Sequence, residues 1–442
     1  MSPPFLMFSV HQHWDPLKVC AVGRSYPPEF YSYIKDARVR NVFEKIAQET
    51  EEDYQKLISK LEEFGVEVVR TDICEDLDIY TRNSNPPPPP MTPRDFTAMV
   101  GSTFHMPGEL YANDIEPDRE LRRMLQYDSL TGTFAQLKNN PELAEYLFDI
   151  FLPGRAVDIK PSSISALKRE AKRVKNIKEL ASLIDTDNLK DLIVQARTNT
   201  IGSNNKFPNF KQYYAFETIR DRLLKEGNEV AHNTYINSAI MTRIGKDLYF
   251  NLSNIINYLE KDRIQKKYKE LFPGYRTHPL AIPGHADGSF CPVKPGLIVS
   301  IKSADNYKET FPGWEVVSLE GQSWGAVGPH LAHKEKVKGR YWVPGEENND
   351  VFHDYISDWY NHWVTYVEET VFDVNMLVID EKNVICNNEN EQVFKAFERH
   401  GITPHVINFR HRYFWDGGLH CITSDLHREG TRQDYFPDRE VD

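Results

Sequence analysis

An α/β fold is predicted by three features of this 442-residue chain. Hydrophobic residues make up 40% of it and charged residues 27%, enough apolar matter to bury a large core. A unit of amphipathic helix, glycine stop and strand recurs along its length. Short apolar runs also precede several of those helices, so strands and helices alternate rather than segregate.

The first strand is read at Val19-Cys20-Ala21-Val22. Residues 46–64 then place Ile46, Tyr54, Leu57, Ile58, Leu61 and Phe64 at largely helical spacing, and Gly65 leads into Val66-Glu67-Val68-Val69. A glycine after the last helical turn takes the left-handed conformation that ends a helix and returns the chain to a strand. Pro86 to Pro90 is an extended, stiff spacer, followed by Pro93-Arg94-Asp95 and the apolar run Phe96 to Val100. Residues 115–230 are charged and mostly helical in pattern, for example Ser163 to Ile184 and Tyr213 to Leu224, and read as a helical insertion within one domain covering 1–442. Ile236-Asn237-Ser238-Ala239 precedes a strand at Leu248-Tyr249-Phe250.

The glycine stop returns in Phe272-Pro273-Gly274 before Pro279 to Ile282, and in Phe311-Pro312-Gly313 before Trp314 to Val317, with a strand at Leu297-Ile298-Val299 between them. The last repeat runs from the strand Met376 to Ile379 through a helix bearing Val393, Phe394 and Phe397 to Gly401 and Val406-Ile407. Residues 431–442 read as a loose polar tail. The pattern fits an ordinary α/β protein as well as a pseudo-symmetric array of ββαβ modules.

Composition narrows the function. Fifty-three Lys and Arg against 65 Asp and Glu leave a net charge of −12, which argues against a large face for nucleic-acid phosphates. No apolar run reaches the length of a membrane span, and the first residues lack the basic-then-apolar order of a signal peptide. Cys20, Cys74, Cys291, Cys386 and Cys421 are odd in number and widely spaced, the pattern of a reducing compartment without a zinc site or disulfide framework. A cytoplasmic location is expected.

Four short segments could carry chemistry. In Gly417-Gly418-Leu419-His420-Cys421-Ile422-Thr423 the glycine pair lets the backbone approach a ligand closely. A cysteine presented there is a nucleophile if its surroundings favour the thiolate, although a lone strand cysteine is most often buried and inert. In Gly284-His285-Ala286-Asp287-Gly288, an extended backbone would project His285 and Asp287 from one face. A histidine beside a carboxylate suits general acid–base work, whereas no third ligand at a familiar spacing supports a metal site. A capped turn with a surface histidine fits the same residues. Asp95 and Asn237 are, taken singly, most often turn residues. All four sit at edges of predicted strands far apart in the chain, as expected if different modules contribute to one central site.

At these residues the sequence resembles the glycine/inosamine amidinotransferases of the guanidine-modifying (pentein) superfamily. The closest stretch is Asn375 to Val384, continuing through Phe397-Glu398-Arg399-His400-Gly401-Ile402-Thr403 to Gly417 through Asp425 and Arg428-Glu429-Gly430. His285-Ala286-Asp287 with Pro295-Gly296-Leu297-Ile298-Val299, Arg94-Asp95, and Val22-Gly23-Arg24 also match. The resemblance covers about residues 15–110 and 230–430.

It implies a five-module α/β-propeller with a central site and the helical insertion. It implies Cys421 as nucleophile toward the guanidinium carbon of an arginine-like donor, and His285 as general acid and then general base. Asp95 and Asp287, with Arg94, would bind substrate. An amine acceptor, no metal, no organic cofactor and a homodimer are implied as well. The sequence departs at Asn237, where the family has the Asp that orients the histidine. Ala304 stands where the family has the arginine that binds the acceptor carboxylate, with Lys302 nearby, and Glu368 and Glu369 stand where it has paired serines. Losing a cation and gaining anions predicts a larger or more cationic acceptor than glycine. The alternatives are a guanidine hydrolase of the same superfamily and a non-catalytic binding homologue.

Overall fold

Strand β1 (Leu17–Val22) begins the first of five three-stranded sheets among the described residues. The computed structural model describes residues 7–73, 89–107, 215–232, 236–252, 261–280, 285–301, 307–319, 342–356, 360 and 373–439. β1 runs parallel to β2 (Glu67–Arg70) and antiparallel to β15 (Thr423–Arg428), so the two ends of the chain share one sheet. The other sheets repeat this plan, each with a middle strand paired antiparallel on one side and parallel on the other. They comprise β3 (Ala98–Val100), β4 (Thr103–Met106) and β5 (Glu229–His232); β6 (Met241–Ile244), β7 (Asp247–Asn251) and β8 (Arg276–Leu280); β9 (Phe290–Lys294), β10 (Leu297–Ser300) and β11 (Glu315–Ser318); and β12 (Leu377–Asp380), β13 (Asn383–Cys386) and β14 (Thr403–Val406).

Parallel neighbours need a crossover. A helix supplies it in every sheet: α1 (Ala37–Glu63), α2 (Glu217–Lys225), α3 (Lys261–Leu271), α4 (Tyr307–Thr310) and α5 (Glu391–His400). Each is followed by a glycine at positive φ: Gly65 (72°), Gly227 (82°), Gly274 (85°), Gly313 (80°) and Gly401 (67°). That conformation favours glycine, which is why the repeat shows in the sequence. The α1 N-terminus is capped by Asp36, and its inner face buries Val39, Phe43, Ile46, Tyr54, Leu57 and Leu61. Asn390 caps α5 through the amides of Gln392 and Val393.

Three expectations change. Residues 217–232 are not part of an insertion, because α2 and β5 complete the second sheet; Gly227 is the fifth stop, hidden by the charged run around it. The remainder of the expected insertion, 115–214, lies outside the described residues, as do Pro86 to Pro88. Residues 431–439 are not loose: Phe436 is buried, Tyr435 Oη accepts from Trp14 Nε1 at 2.9 Å, and Asp434 pairs with Arg276 at 2.6 Å. Polar composition masked these anchors, since the partners come from β8 and the N-terminal segment. Finally, residues 286–289 form a turn before β9 rather than a strand.

Candidate active site

The loop before β15 carries Cys421, and a clamp on α1 fixes it. Arg410 binds Asp53 at 2.9 Å and Glu52 at 2.7 Å, His411 Nε2 lies 2.6 Å from Glu49, and Trp415 Nε1 donates to Thr50 Oγ1 at 3.0 Å. The helical turn Arg412–Trp415 then stops at Asp416, a non-glycine residue at φ 51°. Gly417 follows, where a Cβ would sit 3.5 Å from that of Cys421 and 3.3 Å from Thr92 Cγ2. A side chain at this position would press on Thr92 and Cys421.

Cys421 is only 2% exposed, and polar groups lie against its sulfur. Asn375 Nδ2 lies 2.9 Å from Sγ and Asp287 Oδ2 3.4 Å from it. Asp287 Oδ2 also accepts from His420 Nδ1 at 2.9 Å, while Asp287 Oδ1 is buried without a hydrogen-bond partner. Burial alone would raise the Asp287 carboxyl, but the His420 bond and the charges of His285 and Arg94 outweigh it and hold it below the usual range. For His420, burial and the Arg94 charge outweigh Asp287, so its pKa is lowered and the neutral ring donates its Nδ1–H. The pair is therefore a carboxylate held by a neutral imidazole.

His285 and Asp287 do not project together from a strand, because the turn separates them. The His285 side chain is 41% exposed, whereas that of Asp287 is 4% exposed. His285 Nδ1 lies 3.7 Å from Asp95 Oδ1. Asp95 Oδ1 also lacks a hydrogen-bond partner, and burial together with the Asp287 charge raises the Asp95 pKa against the opposing pull of His285. Two carboxylates with unsatisfied oxygens thus share one neighbourhood with a thiol and a histidine. That arrangement can take a planar cation that brings several N–H groups.

Asn237 has another partner. Its Oδ1 accepts from the Ile240 amide at 3.1 Å, closing the turn before β6, and no hydrogen bond joins it to His285 among the described residues. Turn closure is the commonest use of Asn at such a position.

Arg94 also differs from expectation. Its guanidinium is fully buried: Nε reaches the carbonyls of His420 (2.7 Å) and Thr423 (2.9 Å), and Nη2 pairs with Asp425 (2.6 Å). Its Nη1 is buried with no hydrogen-bond partner among the described residues. Arg243 and Arg428 converge on the same Asp425 at 3.3 and 2.8 Å. Burial and its cationic neighbours lower Arg243 to about 10, still charged at neutral pH. Lys302, Ala304, Glu368 and Glu369 lie outside the described residues.

The residue that sequence reasoning missed is Asn375, which is fully buried. It stands directly before the apolar strand Met376 to Ile379, and a polar residue at that inner end was the available signal. A cavity of about 580 Å³ lined by Phe272, Tyr275, Arg276 and Arg439 contains none of the expected site residues. Among the described residues, no cluster of His, Cys, Asp and Glu is placed to hold a metal, and no helix is long and apolar enough to cross a membrane.

A Xenopus tropicalis protein, "Glycine amidinotransferase, mitochondrial", is 27% identical over 235 residues, 51% of this chain and 47% of its own length. The chain is similar to the amidinotransferases. It spans about half the length of the curated relatives it matches. "L-arginine:L-lysine amidinotransferase" of Pseudomonas savastanoi pv. phaseolicola is 25% identical over 204 residues, 45% of this chain and 46% of that protein. Among solved structures, SxtG, an amidinotransferase of the saxitoxin biosynthetic pathway from Microseira wollei, aligns over 97% of this chain and 99% of its own. Its TM-score is 0.52 and its identity 14%, a likeness of fold. No family model matches the chain.

Proposed function

We propose that this protein moves an amidino group from an arginine-like donor to an amine through a covalent amidino-cysteine on Cys421. The observation that carries the reading is the pair of unsatisfied carboxylate oxygens, on Asp95 and Asp287, gathered with His285 around the buried Cys421 thiol. A guanidinium would satisfy both with charge-assisted hydrogen bonds and bring its carbon to the sulfur. The five sheets, with β15 returning to β1, support an α/β-propeller whose modules surround that site.

In the first half-reaction the Cys421 thiolate forms a bond to the guanidinium carbon. The C–N bond to the donor breaks, and His285 gives its proton to the leaving amine. In the second, an acceptor amine attacks the same carbon, His285 takes a proton from it, and the C–S bond breaks to restore the thiolate. Splitting one displacement into two is what a covalent intermediate supplies. Asp287, Asp95 and the buried dipoles around them supply electrostatic stabilisation in a water-poor site.

For the acceptor, the acidic pair Glu368 and Glu369 in place of the family's serines and the arginine:lysine relative both favour lysine-like amines over glycine. The test is incubation with arginine and equimolar glycine and lysine, with product analysis by mass spectrometry. Ornithine with amidinated lysine as the main product is expected. Glycine as the preferred acceptor would overturn the acceptor assignment, and citrulline with ammonia as the only products would replace transfer by hydrolysis.

A further inference from the structure

The amide of Asn375 bridges the nucleophile loop in a way that fixes which of its ends meets the sulfur. Its Oδ1 accepts from two backbone amides, His420 N at 2.9 Å and Cys421 N at 3.3 Å. An N–H can only be met by the carbonyl end, so the NH₂ end must face the other way. There Nδ2 has two partners, Cys421 Sγ at 2.9 Å and the Asp287 carbonyl at 3.3 Å, one for each of its hydrogens. The Asn375 carbonyl in turn accepts from Asn387 Nδ2 at 2.6 Å, and Asn387 Oδ1 accepts from Leu419 N at 3.1 Å. The side chain is fully buried and cannot exchange this donor for water.

The sulfur needs such a donor. Asp287 Oδ2 accepts from the Cys421 thiol at 3.4 Å and, ionised, opposes the loss of that proton. The other charged or titratable groups around the thiol are His285 from the same turn, His420 from its own loop and Arg94 and Asp95 before β3. Asp425 and Arg428 on β15, Arg243 on β6 and His13 complete the set. Arg94 binds the carbonyls on both sides of Cys421 through Nε, and its Nη2 is committed to Asp425. Asn375 Nδ2 is a side-chain N–H donor within hydrogen-bond distance of the sulfur.

We propose that Asn375 is a further catalytic residue: its Nδ2–H group holds the Cys421 sulfur as an anion before the donor arrives and stabilises that anion again when the amidino group leaves. The role rests on the amidino-cysteine reading for its place in a reaction, but the hydrogen bond itself does not. A charged acceptor roughly doubles the strength of such a bond. The donor should therefore favour thiolate over thiol, and the sulfur should be a better leaving group in the second half-reaction.

The test reads Cys421 alkylation by iodoacetamide against pH, by peptide mass spectrometry, in wild type and two variants. Asn375→Asp keeps an oxygen for the two backbone amides and removes the donor, and Asn375→Ala removes both. The alkylation midpoint is expected to rise by at least one pH unit in Asn375→Asp, with about a tenfold slower reaction at pH 7. A folded Asp variant with an unchanged midpoint overturns the proposal. Should neither variant fold, the wild type decides through its Asn375 side-chain amide resonance. That resonance must titrate with the midpoint of Cys421 alkylation, and its failure to do so overturns the proposal. Because no guanidine is present, these outcomes are separate from whether arginine leaves an amidino group on Cys421.

Discussion

Asp425 and Asp287 are both buried carboxylates, and they are held in opposite ways. Asp425 is surrounded by Arg94, Arg243 and Arg428, with both oxygens in ion pairs of 2.6–3.3 Å. These charges, led by Arg428 and Arg94, overcome the effect of burial and keep its carboxyl well below the usual range. Asp287 Oδ2 meets His420 and the Cys421 sulfur, and Oδ1 has no hydrogen-bond partner among the described residues. A buried polar atom left unpaired is costly in a folded protein unless a ligand completes it. One carboxylate is thus used up holding β15 beside Cys421, and the other is kept in reserve.

The comparison breaks most visibly at Asp425. Asp425→Asn would strand three buried guanidiniums, and a loss of about 3–5 kcal/mol is expected in urea unfolding. The pH sign follows. A carboxyl depressed in the folded state contributes stability above its unfolded value of about 3.9, and that contribution is lost as the pH falls through the folded value. The acid limb of unfolding should therefore flatten in the variant. Asp287→Asn should cost less, about 1.5–3 kcal/mol, the worth of a hydrogen bond to a charged group, while abolishing amidino transfer from arginine. Equal stability losses at the two positions would erase the distinction.

Asp95 sharpens it further, because its shift has the other sign. Burial raises its pKa, so its ionisation opposes folding. Stability falls as pH rises from the unfolded value of about 3.9 through the raised folded value, and the cost is fully present above it. Asp95→Asn should then raise stability at pH 7, by up to about 1 kcal/mol, while weakening donor binding. A gain in melting temperature with a higher KM for arginine is the expected signature. The smallest effect concerns the spare thiols: burial pushes Cys20 and Cys291 up to about 12, so both should label far more slowly than Cys421 at pH 8. Peptide mapping after brief alkylation reads the order.

The repeat was legible because its punctuation is chemical. Four glycine stops and their flanking strands stand out in the sequence, and the fifth, Gly227, was lost only because its helix is charged and short. The site was legible as a set of segments, not as a geometry. Cys421, His285, Asp287 and Asp95 come together, since strand edges from several sheets meet there. What stayed hidden depends on which way side chains turn. Arg94 points inward because Asp425 lies beneath it, Asn237 turns to Ile240, and Asn375 reaches the sulfur across a gap of 46 residues. None of these orientations leaves a periodic trace.

The central claim is that Cys421 attacks a guanidine. Intact-protein mass after brief incubation with arginine and an acid quench, alongside a Cys421→Ala variant, tests it directly. A single added amidino group on the wild type alone is the predicted result. No adduct on the wild type, with arginine unchanged over hours, or an adduct that persists in Cys421→Ala, would contradict it.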